Sequence, residues 1–343
     1  MVKVKRSVTN FSNKISSTEQ KLEQHNTKPQ SYSPPYKAWV ITGGAVGMEN
    51  QCLGLAQALD IEPVIKRVSP PAPWRWLAPH GPAAPCPDIK PPWPNLLIAL
   101  GRQSIPYART MKRWSGGKTF VALLQNPHIP LRHFDFVWAP RHDGLEGDNV
   151  FSTLTHPHLL TVEKLQRETA LWSEKLSFLP RPRIAVLVGG DTRAGGALNK
   201  DDMYRLCSRL RRIAQNKGAG LMITPSRRTG EWRIALLRKA LRDLPFWMWS
   251  GTPPNPYAGF LGLADVVVVT GDSTNMVGEA AVTGKPVYVF HTRQASTRHT
   301  RFLEDMTQAG IVRFFGDQIE EWTYPPLNAT PDIAHALRQA WGI

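Results

Sequence analysis

Cysteine is scarce in this sequence: Cys52, Cys86 and Cys207 are the only three in 343 residues. They are odd in number and far apart. No disulfide framework or zinc spacing can be built from them, and a reducing compartment is expected. Long apolar runs are missing too: no stretch of 18 apolar residues occurs, so no membrane-spanning helix is expected. The opening "MVKVKRSVTNFSNKIS" lacks the apolar core of a secretory signal. Several motifs are also absent. There is no G-x-x-x-x-G-K-[ST] loop, no H-E-x-x-H pair and no D-x-D, and His156, His158, His291 and His299 are scattered. "GGAVG" at Gly43–Gly47 is not G-x-G-x-x-G, and "VIKRV" ends without the acid that would hold an NAD ribose. A P-loop, NAD and a bound metal are therefore not expected. Acid is in deficit, with 27 Asp and Glu against 42 Lys and Arg, a formal charge of +15. Such a chain suits a phosphorylated ligand, a polyanion or an acidic membrane surface. Its cations are spread along the chain, so nucleic acid is not the expected partner.

What is present reads as α/β. Residues 1–37 are expected to be a disordered basic tail, rich in Ser, Thr, Asn and Gln. Val4, Val8, Phe11 and Ile15 at helical spacing leave a basic amphipathic anchor as the other reading. "AWVITGG" (Ala38–Gly44) is a strand and glycine turn, and "MENQCLGLAQAL" (Met48–Leu59) a helix. "PVIKRV", "NLLIALG", "KTFVALL" and "FDFVWAP" supply four further strands. Short apolar runs without alternation, separated by helices, imply parallel strands covered on both faces. Residues 70–94 contain ten prolines in 25 positions and are read as an irregular loop. The loop carries Trp74, Trp76, Leu77 and Trp93, which either cap the first core or form an interfacial patch. After a helix at 160–176 and the break "LPRPR", a second series opens alike with "IAVLVGG" (Ile184–Gly190). The fold class is thus α/β, two doubly wound Rossmann-like domains facing a cleft. The expected bounds are 38–178 for the first, 179–330 for the second, and 331–343 for a C-terminal helix near the hinge.

Ligands in such sheets lie at the carboxyl ends of the strands, which selects the candidates. In "VVVVTGDSTNMVGEAAVTGKPVYVF", Asp272 or Ser273 can cap a helix whose first N–H groups, with Thr274 and Asn275, face an anion. Glu279 stands deeper in that helix, where a carboxylate can accept both hydroxyls of a ribose; the bland reading is a solvated acid or an ion pair. Gly189, Gly190 and Arg193 follow one strand, and Ser226, Arg227, Arg228 and Thr229 of "TPSRRTG" follow another. Both turns suit phosphate oxygens. "PRHDG" places His142 and Asp143 at a strand end, a pair able to act as general base. Glu49 is a further catalytic candidate, and Gly43, Gly44, Gly47 and Asn50 fall on the acceptor side.

The segments "GMENQCLGLAQAL", "ALGRQS", "PRHDG", "TPSRRTG", "NPYAGFLGLAD" and "TGDSTNMVGEAAVTGKPVYV" together resemble the Elm family of mitochondrial fission, which is common in bacteria as well. The likeness runs from about residue 38 to the C-terminus. More weakly, the strand, polar turn and helix with its internal Glu279 resemble the donor half of GT-B-type glycosyltransferases, in particular the N-acetylglucosaminyltransferase that makes lipid II. That likeness implies a metal-independent transferase taking a sugar from a UDP-type donor, with no tightly bound cofactor. It also implies a lipid-linked or cell-envelope acceptor and a cytoplasmic chain peripheral on the inner membrane face. A nucleotide-sugar 2-epimerase of the same architecture, and a non-catalytic protein of membrane or organelle morphology, are the other readings.

Overall fold

The computed structural model describes residues 36–192, 198–292 and 297–343. The expectations for the basic tail and for Arg193 lie outside the described residues. Within the compact unit Lys37–Ile343, the described residues form twelve strands that pair, all in parallel, into two six-stranded sheets. The first sheet has the order β2-β1-β3-β4-β5-β6: β1 (Ala38–Thr42), β2 (Pro63–Arg67), β3 (Leu96–Leu100), β4 (Phe120–Leu123), β5 (Phe136–Pro140) and β6 (Val150–Thr153). The second has the order β12-β11-β10-β7-β8-β9: β7 (Arg183–Val188), β8 (Gly220–Pro225), β9 (Phe246–Met248), β10 (Val266–Thr270), β11 (Val287–Phe290) and β12 (Val312–Phe314). Counted within itself, the second sheet runs 3-2-1-4-5-6 reversed, the dinucleotide-fold order, and its strand order switches between β7 and β10.

Continuous apolar runs form these strands because both faces are buried. Ile184, Val186 and Val188 of β7 enter one core, while Ala185 and Leu187 enter the other. In β10, Val266 and Val268 divide from Val267 and Val269 in the same way. Helices α1 (Val46–Ala58), α2 (Trp74–Leu77) and α3 (Ile105–Trp114) belong with the first sheet. The proline-rich loop is thus irregular except for the four-residue turn α2. Helix α4 (Val162–Ser173) packs on α7 (Tyr257–Leu263), where a Cβ at Gly262 would strike Thr169 and only glycine lets the helices approach. Helices α5 (Lys200–Lys217) and α6 (Glu231–Leu241) cover the opposite face of the second sheet. Helix α8 (Thr274–Ala281) follows β10, and α9 (Thr297–Gln308) follows β11. The last helix, α10 (Thr330–Trp341), returns to the first sheet: Ile333, Ala334 and Leu337 share a core with Leu55, Leu96 and Trp138. None of the described helices is long and apolar enough to cross a membrane.

Candidate functional site

The switch point of the second sheet is closed by its own side chains. Thr270 Oγ1 accepts the Gly189 N–H at 2.7 Å and donates to Asp272 Oδ1 at 2.6 Å, and Gly190 N–H donates to Asp272 Oδ2 at 3.0 Å. A Cβ on Gly189 would collide with the Asp272 carboxylate, and one on Gly190 with the Arg228 carbonyl. The paired glycines therefore let β7, the 226–229 turn and the β10 turn meet. Asp272 is buried, which raises its pKa, while Arg228 Nη2 stands 3.3 Å from Oδ2. Thr229 is fully buried: its hydroxyl accepts the Ser226 N–H at 2.8 Å and contacts the Val188 and Gly189 carbonyls. Ser226 Oγ accepts the Arg228 N–H at 3.2 Å. The Gly189 and Gly190 N–H groups, Asp272 and Thr229 are thus engaged in the fold. The groups facing outward are Arg227 and the half-exposed guanidinium of Arg228. To these α8 adds the first-turn N–H groups of Thr274 and Asn275, which have no acceptor within the helix. Ser273, not Asp272, caps α8, accepting the Met276 N–H.

Glu279 lies in the second turn of α8, half-buried. The Tyr257 hydroxyl donates to its Oε2 at 2.6 Å, and burial pushes its carboxyl up to about 7, opposed by Tyr257 and Lys164. Among the described residues it has no ion-pair partner. The carboxyl is held by one hydroxyl from α7.

Across the crevice, Glu49 in α1 is buried and gripped by Arg67, with Nε–Oε1 at 2.7 Å and Nη2–Oε2 at 3.0 Å. That bidentate pair, helped by Thr42 and by the charge of Arg227, lowers its pKa. Gly43 and Gly44 make the turn before α1, with Gly44 at φ +84° donating to Thr42 Oγ1. Gly47 faces Asn275, and Gln51 Nε2 donates to Asn275 Oδ1 at 3.1 Å, so the first turns of α1 and α8 meet. Asn50 is half-buried on α1 beside them.

A pocket of about 280 Å³ opens where the carboxyl ends of β3, β4 and β5 face α8 and α9. Its apolar wall includes Leu100, Leu124 and Trp138, and its polar groups include Gln51, Gln125, His142, His156, Thr274 and Arg298. The His142 side chain is 3% exposed, and its Nδ1 and that of His156 have no hydrogen-bond partner among the described residues. Burial pulls His142 down to about 4 and His156 to about 3. Both imidazoles are neutral at pH 7. His142 Nε2 points toward Asp143 at 3.7 Å, and Asp143 is ion-paired with Arg298. His142 thus lines the pocket with a neutral ring whose Nδ1 takes no hydrogen bond from the described residues. A larger pocket of about 520 Å³, lined by Lys217, Asp265, Lys285 and Trp322, lies at the opposite edge of the second sheet. It is away from the carboxyl ends of the strands, where such folds hold ligands.

The sequence reading missed Arg67, Gln51, Tyr257, His156 and Arg298. Arg67 had a visible signal: it ends β2 at the position where an NAD enzyme carries an acid. The others are distant in sequence from the groups they meet.

Two Rossmann-like parallel sheets whose carboxyl edges share one cleft define a GT-B-type architecture. UDP-GlcNAc 2-epimerase from Methanocaldococcus jannaschii superposes with a TM-score of 0.57 at 12% identity, covering 88% of this chain and 98% of that one. The same enzyme in complex with UDP-GlcNAc and UDP gives 0.51 with the same identity and coverage. In sequence, the chain belongs to the mitochondrial fission ELM1 family, whose model matches residues 46–341. It is 32% identical over 276 residues to the mitochondrial fission protein ELM1 of Arabidopsis thaliana, spanning 72% of this chain and 64% of that protein. An uncharacterized protein of Rickettsia prowazekii is 25% identical over 287 residues, 72% of this chain and 80% of that protein.

Proposed function

We propose that this chain binds a UDP-type nucleotide sugar in the cleft and transfers the sugar to an acceptor hydroxyl, the acceptor being lipid-linked or part of the cell envelope. The diphosphate lies against Arg227, Arg228 and the first turn of α8, where N–H groups and guanidinium offset its charge. The ribose hydroxyls reach the Glu279 carboxyl. The acceptor occupies the pocket, its hydroxyl donating to His142 Nδ1. As the sugar–phosphate bond breaks and the acceptor oxygen bonds the sugar carbon, the hydroxyl proton passes to Nδ1. Asp143 then faces the imidazolium.

The buried Nδ1 of His142, without a hydrogen-bond partner among the described residues of the pocket, carries the transferase reading. A 2-epimerase needs a carboxylate or similar base beside the sugar. Its two candidates here, Glu49 and Asp143, are both clamped by arginine, which occupies the carboxylate oxygens that a base would need free. The test is a donor panel with purified protein. Nucleoside diphosphate release that needs an acceptor supports transfer. Solvent deuterium entering C2 of the sugar indicates epimerisation, and no turnover with any donor indicates a non-catalytic member.

A further inference from the structure

The proline-rich loop divides its aromatic side chains. Trp74 and Trp93 turn inward, with the Trp93 ring 5.9 Å from Trp39 and stacked on Trp114 at 5.8 Å. Trp76 and Leu77 turn outward, 73% and 49% exposed. No other large apolar side chain among the described residues is as exposed as Trp76. The turn that presents them is tied down: Arg102 donates to the Trp76 carbonyl at 2.9 Å, and Arg109 to the His80 and Gly81 carbonyls at 3.0 and 2.7 Å. Between loop and α3 runs a groove of about 570 Å³ lined by His80, Arg109, Arg113, Trp114 and His133 among others, with no carboxylate. From residue 70 to 118 the only acid is Asp88, against seven Lys and Arg.

We propose that this face, α2 with the outer side of α3, docks on an anionic lipid bilayer. Trp76 and Leu77 enter the headgroup–acyl boundary, and the exposed Arg75 and Arg113 meet lipid phosphates. Two exposed apolar side chains among cations of one sign make an interfacial anchor. A stable protein interface would bury about 800 Å² per partner around a broader apolar centre. The loop leaves the carboxyl end of β2, and Arg102 follows β3. The anchor therefore sits on the rim of the edge that carries the pocket. This inference does not depend on the donor or on turnover.

The test is flotation of the full-length chain with vesicles of phosphatidylcholine alone or mixed with phosphatidylglycerol, at low and high salt. Binding to the mixed vesicles only, weakened by salt, is expected. Trp76→Ser with Leu77→Ser, and separately Arg75→Glu with Arg113→Glu, should each lower partitioning about ten-fold or more. All four residues are exposed, and unchanged melting curves confirm that the variants are folded. Equal binding by variants and wild type, binding to phosphatidylcholine alone, or no flotation would each overturn the proposal. So would a wild-type dimer that the Trp76/Leu77 variant turns into a monomer, because a second copy would then own the face.

Discussion

Glu279 is a carboxyl whose charge is opposed by burial, and that has a measurable sign. Its pKa is near 7 in the fold against 4.5 for an ordinary glutamate. Between those values the folded chain holds the extra proton, so this group's contribution to stability is lost as pH rises from 4.5 to 7. Glu279→Gln should therefore be more stable than wild type at pH 8, by about 1–3 kcal/mol, and equal to it near pH 4.5. Thermal melts at the two pH values check this, and an equal difference at both would show that ionisation is not involved. His142 makes a separate prediction. If its Nδ1 takes the acceptor proton, His142→Ala should lower kcat by about 10²–10⁴ and leave donor KM nearly unchanged. A raised donor KM with intact kcat would move His142 to the donor side.

Among the elements, the turns after β7, β8 and β10 are locked to one another, and α6 locks them from below. Arg233 of α6 is 4% exposed and donates to the Leu198 carbonyl at 2.7 Å and the Thr229 carbonyl at 2.9 Å, while pairing with Asp191. Arg233→Ala strands those carbonyls and should cost about 2–4 kcal/mol, measured by denaturant unfolding. A loss under about 0.5 kcal/mol would show that the network is not cooperative. These turns also show how far the sequence could be read. Valine runs such as Val266–Val269 announced buried parallel strands, and the doubled strand-Gly-Gly opening announced two sheets. The edge strands β6 and β12 did not announce themselves, being four and three residues long and only partly buried. Helix α9 keeps just Phe302, Leu303 and Met306 inside, too few to stand out as a period. Gln51 and Asn275 meet across 224 residues, and Tyr257 meets Glu279 across 22. No local spacing encodes such pairs, so the strand ends that build the site were legible and the partners of its charged groups were not.

Across the chain, three histidines are buried in neutral form where the two sheets and α10 meet: His142 and His158 near 4, and His156 near 3, against an ordinary 6.5. The unfolded chain binds these protons first. Their contribution to stability is complete above pH 6.5 and is lost as pH falls toward 3–4. Glu279 and Asp272, both raised by burial, act in the opposite direction, while Glu49, lowered by Arg67, acts with the histidines. Melting temperature should drop steeply between pH 6.5 and 4, and a flat profile would mean that these rings are hydrated. The nucleotide assignment has its own test, a calorimetric titration of UDP and of inorganic diphosphate into wild type, Glu279→Ala and Arg227→Ala. Arg227→Ala should weaken both ligands, since a guanidinium there meets only phosphate. Glu279→Ala should weaken UDP by about ten- to a hundred-fold and leave diphosphate, which has no ribose, within about two-fold. Equal losses for the two ligands in the Glu279 variant, or no UDP binding by wild type, would contradict a sugar-nucleotide site built on this carboxyl.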